Sequence, residues 1–189
     1  MTPPLRTLVL GGARSGKSSH AEVLVGVAGP VRYVATGRSD PGDTDWEARI
    51  DEHRRRRPPE WTTVESPTDL PATVLVGDGV TIVDDLGTWL TGVLDDEAAW
   101  DAPRGTVAPL VDALVDAVRR CRHRVVMVSP EVGLSIVPDT KSGRLFRDEL
   151  GVLNQRLAAV CDEVVLVVAG LPLTLKSVDA SKNSREFTP

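Results

Sequence analysis

Thiols are almost missing from this sequence. Cys121 and Cys161 are its only cysteines, and neither has a CxxC neighbour or a histidine at metal-ligand spacing, so neither a disulfide framework nor a zinc site is expected. Both sit in apolar helical patterns and read as small core residues. Excess basic charge is missing too: the formal net charge is -5, and the one cationic cluster is Arg54–Arg57. That excludes the broad electrostatic footprint of a DNA- or RNA-binding protein, and no nucleic-acid partner is expected. No apolar run approaches the ~18 residues that span a bilayer. Met1–Arg6 lacks the apolar centre of a signal peptide. The expectation is a soluble, cytoplasmic protein with no integral membrane segment.

At 189 residues and 41% hydrophobic content, the chain can bury one sizeable core but not two. A single domain over residues 1–176 is expected, followed by a polar tail, residues 177–189, without apolar periodicity and expected to be disordered. Short β-branched runs recur at Thr7–Leu10, Val31–Thr36, Trp61–Glu65, Thr81–Asp84, Arg124–Ser129 and Glu163–Ala169. Most are separated by helical patterns, which reads as α/β. Runs such as "VVMV" and "VVLVV" have no polar face and fit a parallel sheet covered on both sides. Helices are predicted over Lys17–Ala28, stopped by Gly29-Pro30, from a capping box at Thr44 and Glu47 to before Pro58-Pro59, over Thr106–Cys121 with a stripe including Leu110 and Leu114, and over Gly143–Cys161.

The densest chemistry lies at Gly11-Gly12-Ala13-Arg14-Ser15-Gly16-Lys17-Ser18, which fits G-x-x-x-x-G-K-[ST] between an apolar strand and a helix. In such a phosphate loop the glycines let backbone N–H groups converge on phosphates. Lys17 brings a charge to the β and γ oxygens, and the Ser18 hydroxyl is placed to ligate Mg2+. A glycine-rich turn that only joined strand to helix would need neither Lys17 nor Ser18. The second acid such a site needs belongs at the end of a neighbouring strand, where Asp84 and Asp85 follow Thr81-Ile82-Val83. Asp84 is the choice for the metal, while Asp85 suits a helix N-cap.

Trp46, Ile50 and His53 fall on one helical face beside Arg54–Arg57. Two readings stay open from the residues alone. Either the arginines complement a helix C-terminus and His53 is an ordinary ring, or His53 is a nucleophile toward phosphorus with arginines gripping the displaced phosphates. Solvation accounts for His20 and His123. Glu131, past the strand at Arg124–Ser129, is either a solvated loop carboxylate or a group that orients a metal-bound water or a substrate hydroxyl.

Taken in order, "GGARSGKSSHAE", "YVAT", "RIDEHRRRRPPEWTTVE", "EVGLSIVPD" and "FRDELGVLNQRLAAVCDEVVLVVAGLPLTLK" resemble the bifunctional adenosylcobinamide kinase and adenosylcobinamide-phosphate guanylyltransferase family, over Thr7–Lys176. The resemblance implies a RecA-like P-loop fold and a small symmetric homo-oligomer, a trimer or dimer of trimers. It implies ATP or GTP as phosphoryl donor to a corrinoid substrate, then attack of a histidine on the α-phosphate of GTP and transfer of GMP to the corrinoid phosphate. His53, Arg54, Arg57 and Pro58 match the family's histidine pattern, which makes His53, with Lys17, the implied catalytic residue and Arg54 and Arg57 nucleotide contacts. The chain departs from that pattern at Asp85, Gly92, Pro130 and Ser135, where Cys, Asn, Asn and Gly are customary. The alternatives are a monofunctional P-loop kinase of another small metabolite and a slow nucleotide switch.

Overall fold

Strands without a polar face need cover on both sides, and the computed structural model, which describes residues 5–26, 30–40, 42–65, 69–77 and 79–177, supplies it. The strands are β1 (Arg6–Gly11), β2 (Val31–Ala35), β3 (Thr62–Glu65), β4 (Val80–Asp84), β5 (Arg124–Pro130), β6 (Glu163–Val168) and β7 (Leu171–Lys176). They form one sheet of order β3-β2-β4-β5-β1-β6-β7. All neighbours pair in parallel except β6 and β7. The helices are α1 (Lys17–Val25), α2 (Thr44–Arg56), α3 (Leu70–Leu75), α4 (Leu86–Asp96), α5 (Ala108–Arg120) and α6 (Lys141–Val160).

Because side chains alternate across a strand, each central strand feeds two cores. Leu8, Leu10, Val83, Val125 and Met127 face one side, where they meet Leu70 of α3, Leu90 of α4, Leu114 of α5 and Leu150, Leu153 and Leu157 of α6. Val9, Tyr33, Ile82, Val126 and Val128 face the other and are covered by Ala21 and Val25 of α1. Helices on both faces of a mostly parallel sheet is the RecA-like arrangement that the family resemblance implies. Cys121 and Cys161 are free and buried, as expected of core residues.

Register then builds the site. β5 lies between β1 and β4, pairing Gly11 with Pro130 and Asp84 with Val128. The C-terminal ends of β1 and β4 therefore open on the same edge of the sheet, where ligands of open α/β sheets bind.

Several local expectations are corrected. α1 ends at Val25, because Gly26 takes φ 62 and its N–H closes on Glu22 O. The continuation to Ala28 lies outside the described residues. α2 is capped by Asp43, whose carboxylate accepts from the Trp46 N–H, and not by Thr44. Glu47 instead receives Ser39 Oγ and the Asp40 N–H. Leu110 is 38% exposed and Val111 takes its place in the core. β7 has no counterpart among the expected strands; it returns through Ala169 (φ 51) and Gly170 (φ 79), and all its residues are exposed. α3 is too short to show a helical period, although Asp69 caps it and Pro71 sits in its first turn. His123 is not simply solvated: its ring lies 3.1 Å from Thr81 Oγ1 and beside Cys121 Sγ. Past Ser177, the expected tail lies outside the described residues.

Candidate active site

Between β1 and α1 the chain turns through Arg14 at φ 55 and Gly16 at φ 92. Gly11 has no room for a side chain, since a Cβ there would lie 2.8 Å from Val167 O. The Gly170 N–H donates to Ser15 O at 2.8 Å, so the β6–β7 turn braces the loop from outside. No side chain caps α1, which leaves its first N–H groups available to an anion. Lys17 is 6% exposed and folds back so that Nζ donates to Gly12 O at 3.4 Å. A cavity of about 840 Å³ opens over this loop, walled by Arg14, Ser15, Lys17, Ser18, Trp46 and His53, among others.

Asp84 is the hub of the site. Its Oδ1 accepts from Ser18 Oγ at 3.2 Å. Its Oδ2 accepts from the Tyr33 hydroxyl and lies 3.4 Å from His53 Nδ1. Burial pushes the Asp84 carboxyl up, but His53, Tyr33 and Ser18 outweigh it and hold the group below the ordinary carboxylate value. Burial, and then the charge of Asp84, push the Tyr33 phenol and the Asp85 carboxyl upward. Asp85 caps α4, accepting from the Thr88 N–H at 2.8 Å. Ser18 Oγ and Asp84 Oδ1 are hard oxygen donors already in contact. They fit a hard divalent cation such as magnesium, which would need no larger cluster of protein ligands. No group of three or more His, Cys, Asp or Glu that could hold a metal occurs among the described residues.

α2 stands between the loop cavity and a second one of about 260 Å³, lined by Tyr33, Trp46, Ile50, Arg57, Asp85 and Phe146, among others. Ser18, Trp46 and His53 border both. Trp46 is fixed by its indole N–H, which donates to Arg38 O at 2.8 Å. Arg57 lies 4.0 Å over the Tyr33 ring and reaches Glu65 at 3.3 Å. Arg54 pairs with Glu65 and Asp51. Neither arginine borders the loop cavity. Glu131 borders neither cavity; its N–H extends the β1–β5 pairing to Gly11 O, and its carboxylate closes on the Gly133 N–H at 2.6 Å. Lys17, Ser18, Asp84 and His53 are thus brought together, while Arg54 and Glu131 stand apart.

A model of the family described as cobinamide kinase / cobinamide phosphate guanyltransferase matches residues 7–175. The chain belongs to this family. It is 41% identical to the bifunctional adenosylcobalamin biosynthesis protein CobU of Salmonella typhimurium strain LT2, over 89% of this chain and 98% of the relative. It is 41% identical to the bifunctional adenosylcobalamin biosynthesis protein CobP of Pseudomonas aeruginosa, over 91% of this chain and 98% of the relative. Among solved structures it resembles an ATPase of a bacterial type III secretion system, with a TM-score of 0.55 at 10% identity over 90% of this chain and 56% of the other. A second is the secretion ATPase EscN of enteropathogenic E. coli, at TM-score 0.51 and 11% identity, over 87% of this chain and 43% of the other. At those identities the likeness concerns fold alone, and the chain spans about half the length of these structures.

Three of the four positions set apart from the family pattern have structural roles of their own. Asp85 is the α4 cap. Pro130 seats on α4, since a Cβ on Gly87 would lie 2.6 Å from Pro130 Cγ. Gly92 lets the Arg38 guanidinium, paired with Asp96, lie across the helix, a Cβ there coming 3.1 Å from Arg38 Cζ. Ser135 sits on an exposed loop with Leu134 and Ile136, which are 84% and 93% exposed. Tyr33 and Phe146, which both line the smaller cavity, gained no role at the site from sequence reasoning. Tyr33 is the chain's only tyrosine, and its position two residues before the end of a strand neighbouring Asp84 was the signal that could have found it.

Proposed function

We propose that the chain carries out both reactions for which its family is named. In the first, ATP or GTP phosphorylates the aminopropanol hydroxyl of adenosylcobinamide. In the second, GMP passes from GTP through a His53–GMP intermediate to the corrinoid phosphate, giving adenosylcobinamide-GDP. The observation that carries this reading is that His53 borders the phosphate-loop cavity with its Nδ1 against Asp84.

The loop residues Gly11, Gly12, Ala13, Arg14, Ser15 and Gly16 cradle the phosphates through backbone N–H groups, and Lys17 adds its charge to the oxygens of the transferring group. Ser18 and Asp84 hold magnesium, which supplies neutralisation of charge on the phosphates. His53 attacks the α-phosphorus while Asp84 faces the positive charge that develops on the imidazole. Arg57, which lines the smaller cavity beside His53, serves as a cationic contact to the nucleotide, whereas Arg54, paired with Glu65 and Asp51, and Glu131, closed on Gly133, would have to turn toward the site to contact nucleotide and corrinoid. One cradle serves both steps because γ- and α-phosphoryl transfer both need in-line approach and stabilisation of spread negative charge. The protein works in the cytoplasm as a homo-oligomer, a trimer or dimer of trimers, whose assembly would cover the apolar side chains of Leu171, Leu173 and Leu175 on β7.

The test is incubation with magnesium and GTP labelled on the α-phosphate, with wild type and His53→Asn, followed by denaturing electrophoresis and by assay for nucleotide-linked corrinoid. Acid-labile, alkali-stable label on the wild type alone, discharged by adenosylcobinamide phosphate, is expected. Corrinoid phosphorylation without label would reduce the protein to a kinase. Neither activity on corrinoid would leave a P-loop kinase of another small metabolite.

A further inference from the structure

Among the groups converging on Asp84, Tyr33 has no part in the chemistry described above. It is 1% exposed. On one side its ring stacks on Trp61, with centroids 6.1 Å apart and planes at 26°. On the other lies the Arg57 guanidinium, itself tied to Glu65. The backbone fixes it as well, since β2 pairs Tyr33 with Ile82 and Ala35 with Asp84. A hydroxyl held so firmly donates to the same carboxylate oxygen, Asp84 Oδ2, that faces His53 Nδ1.

We propose that Tyr33 is a positioning residue for guanylyl transfer, pinning Asp84 so that His53 presents Nε2, and not Nδ1, to the α-phosphorus. This rests on the reading of His53 as the nucleophile. The carboxylate of Asp84 has two claims on it, Ser18 at Oδ1, with any cation the pair would hold, and His53 at Oδ2, and rotation about its own side-chain bonds would let the first win. Ser18 is a rotatable hydroxyl and His53 rides on α2, a helix with no described side chain in either main hydrophobic core. Tyr33 is the member that cannot follow a rotation. With Oδ2 held, a proton on Nδ1 has a fixed acceptor 3.4 Å away and the lone pair is left to Nε2, which has no protein partner among the described residues. In the forward step that lone pair forms the N–P bond while the bond from the α-phosphorus to the α,β-bridging oxygen breaks. The electron pair departs with pyrophosphate, and the Nδ1 proton stays beside Asp84. In discharge an oxygen of the corrinoid phosphate attacks phosphorus and the N–P pair returns to Nε2.

The experiment uses the full chain with [15N]histidine, magnesium and GTP, in wild type and Tyr33→Phe, which keeps the ring and its stacking. Single-turnover adduct formation from α-labelled GTP, the dissociation constant for GTP and a 15N–31P correlation spectrum of the adduct are measured together. The wild type is expected to give one phosphoramidate, on Nε2. In Tyr33→Phe the rate of adduct formation is expected to fall ~10–100-fold, the loss of one hydrogen bond to a charged group at the reacting centre, with GTP affinity changed less than about threefold. A second, Nδ1-linked isomer is expected to appear. A packing role alone would leave the regiochemistry untouched. An Nδ1 adduct in the wild type, or a Tyr33→Phe protein with an unaltered rate and one isomer, overturns the proposal while leaving His53 as nucleophile. No adduct on the wild type overturns both readings.

Discussion

Replacing Asp84 with asparagine tests the centre of the site, because the structure says which contacts survive. Ser18 is a hydroxyl and can turn to accept a hydrogen bond, whereas the Tyr33 hydroxyl donates to Oδ2 and His53 Nδ1 faces the same oxygen at 3.4 Å. The substituted amide would therefore settle with its carbonyl toward Tyr33 and His53 and its NH2 toward Ser18, which keeps the network but removes the charge. Hydrogen bonds to charged groups are worth about 1.5–3 kcal/mol against about 1 for neutral ones, so the fold should lose roughly 1–3 kcal/mol and remain intact. Catalysis should suffer more. Guanylylation loses both the charge opposite the developing imidazolium and the anionic metal ligand, each worth about 2–3 kcal/mol, so adduct formation should drop roughly 10³- to 10⁴-fold. Phosphoryl transfer to the corrinoid loses the metal ligand alone and should drop roughly 30- to 150-fold. The assay is single-turnover transfer from GTP labelled at the α- or the γ-phosphate, at saturating magnesium, alongside a denaturant titration. An Asp84→Asn protein that melts normally and forms adduct within about threefold of wild type would refute the assignment of Asp84 to both partners. Equal losses in the two steps would refute its part in orienting His53.

Lys17→Ala should leave the melting transition nearly unchanged yet weaken triphosphate binding and lower both transfer rates by at least about 100-fold, as read by calorimetry and by the two labelled-GTP assays. Chelation of magnesium by EDTA should stop both transfers without lowering the melting temperature of the nucleotide-free protein. Leu150→Ala, at a fully buried position of α6, should cost about 2–5 kcal/mol in a denaturant titration. Asp162 binds Arg6 through side chain and backbone, and although burial pushes its carboxyl up, Arg6 brings it below the ordinary value of 3.8. A lowered carboxyl contributes stability above its unfolded-state value and loses it as pH falls. Asp162→Asn should therefore destabilise the protein by about 1–2 kcal/mol at pH 7, with the gap from wild type closing as pH falls below about 4.

Periodicity and turn chemistry carried most of the fold. β1, β2, β4, β5 and β6 were legible because runs with no polar face can be buried only in a sheet covered on both sides. β7 escaped for the opposite reason: an exposed antiparallel edge buries nothing, so its alternating leucines do not stand out. The end of α1 was misread because Gly26 stops it before Gly29-Pro30, and the α2 cap was misread by one residue because Asp43 and Thr44 are both capping types. Within the site, the phosphate loop and Asp84 were read from local pattern. The ring of Tyr33 over Arg57, the pairing of Arg54 with Glu65 and the separation of Glu131 from both cavities were not, since each depends on what another strand brings alongside.

The sequence by itself determined the phosphate cradle, because Gly11–Ser18 contains its whole chemistry: the glycines that permit the turn, the charge and the hydroxyl lie within one strand-to-helix junction. Tertiary structure alone decided that His53 meets Asp84 and that the Tyr33 hydroxyl reaches the same carboxylate oxygen. Those three side chains come from α2, β4 and β2, and they meet because β2 pairs beside β4, while β5, inserted between β4 and β1, brings the end of β4 to the edge where the phosphate loop opens. Strand order is set by how two cores close over a twisted sheet, a property of all the strands together and of no segment alone.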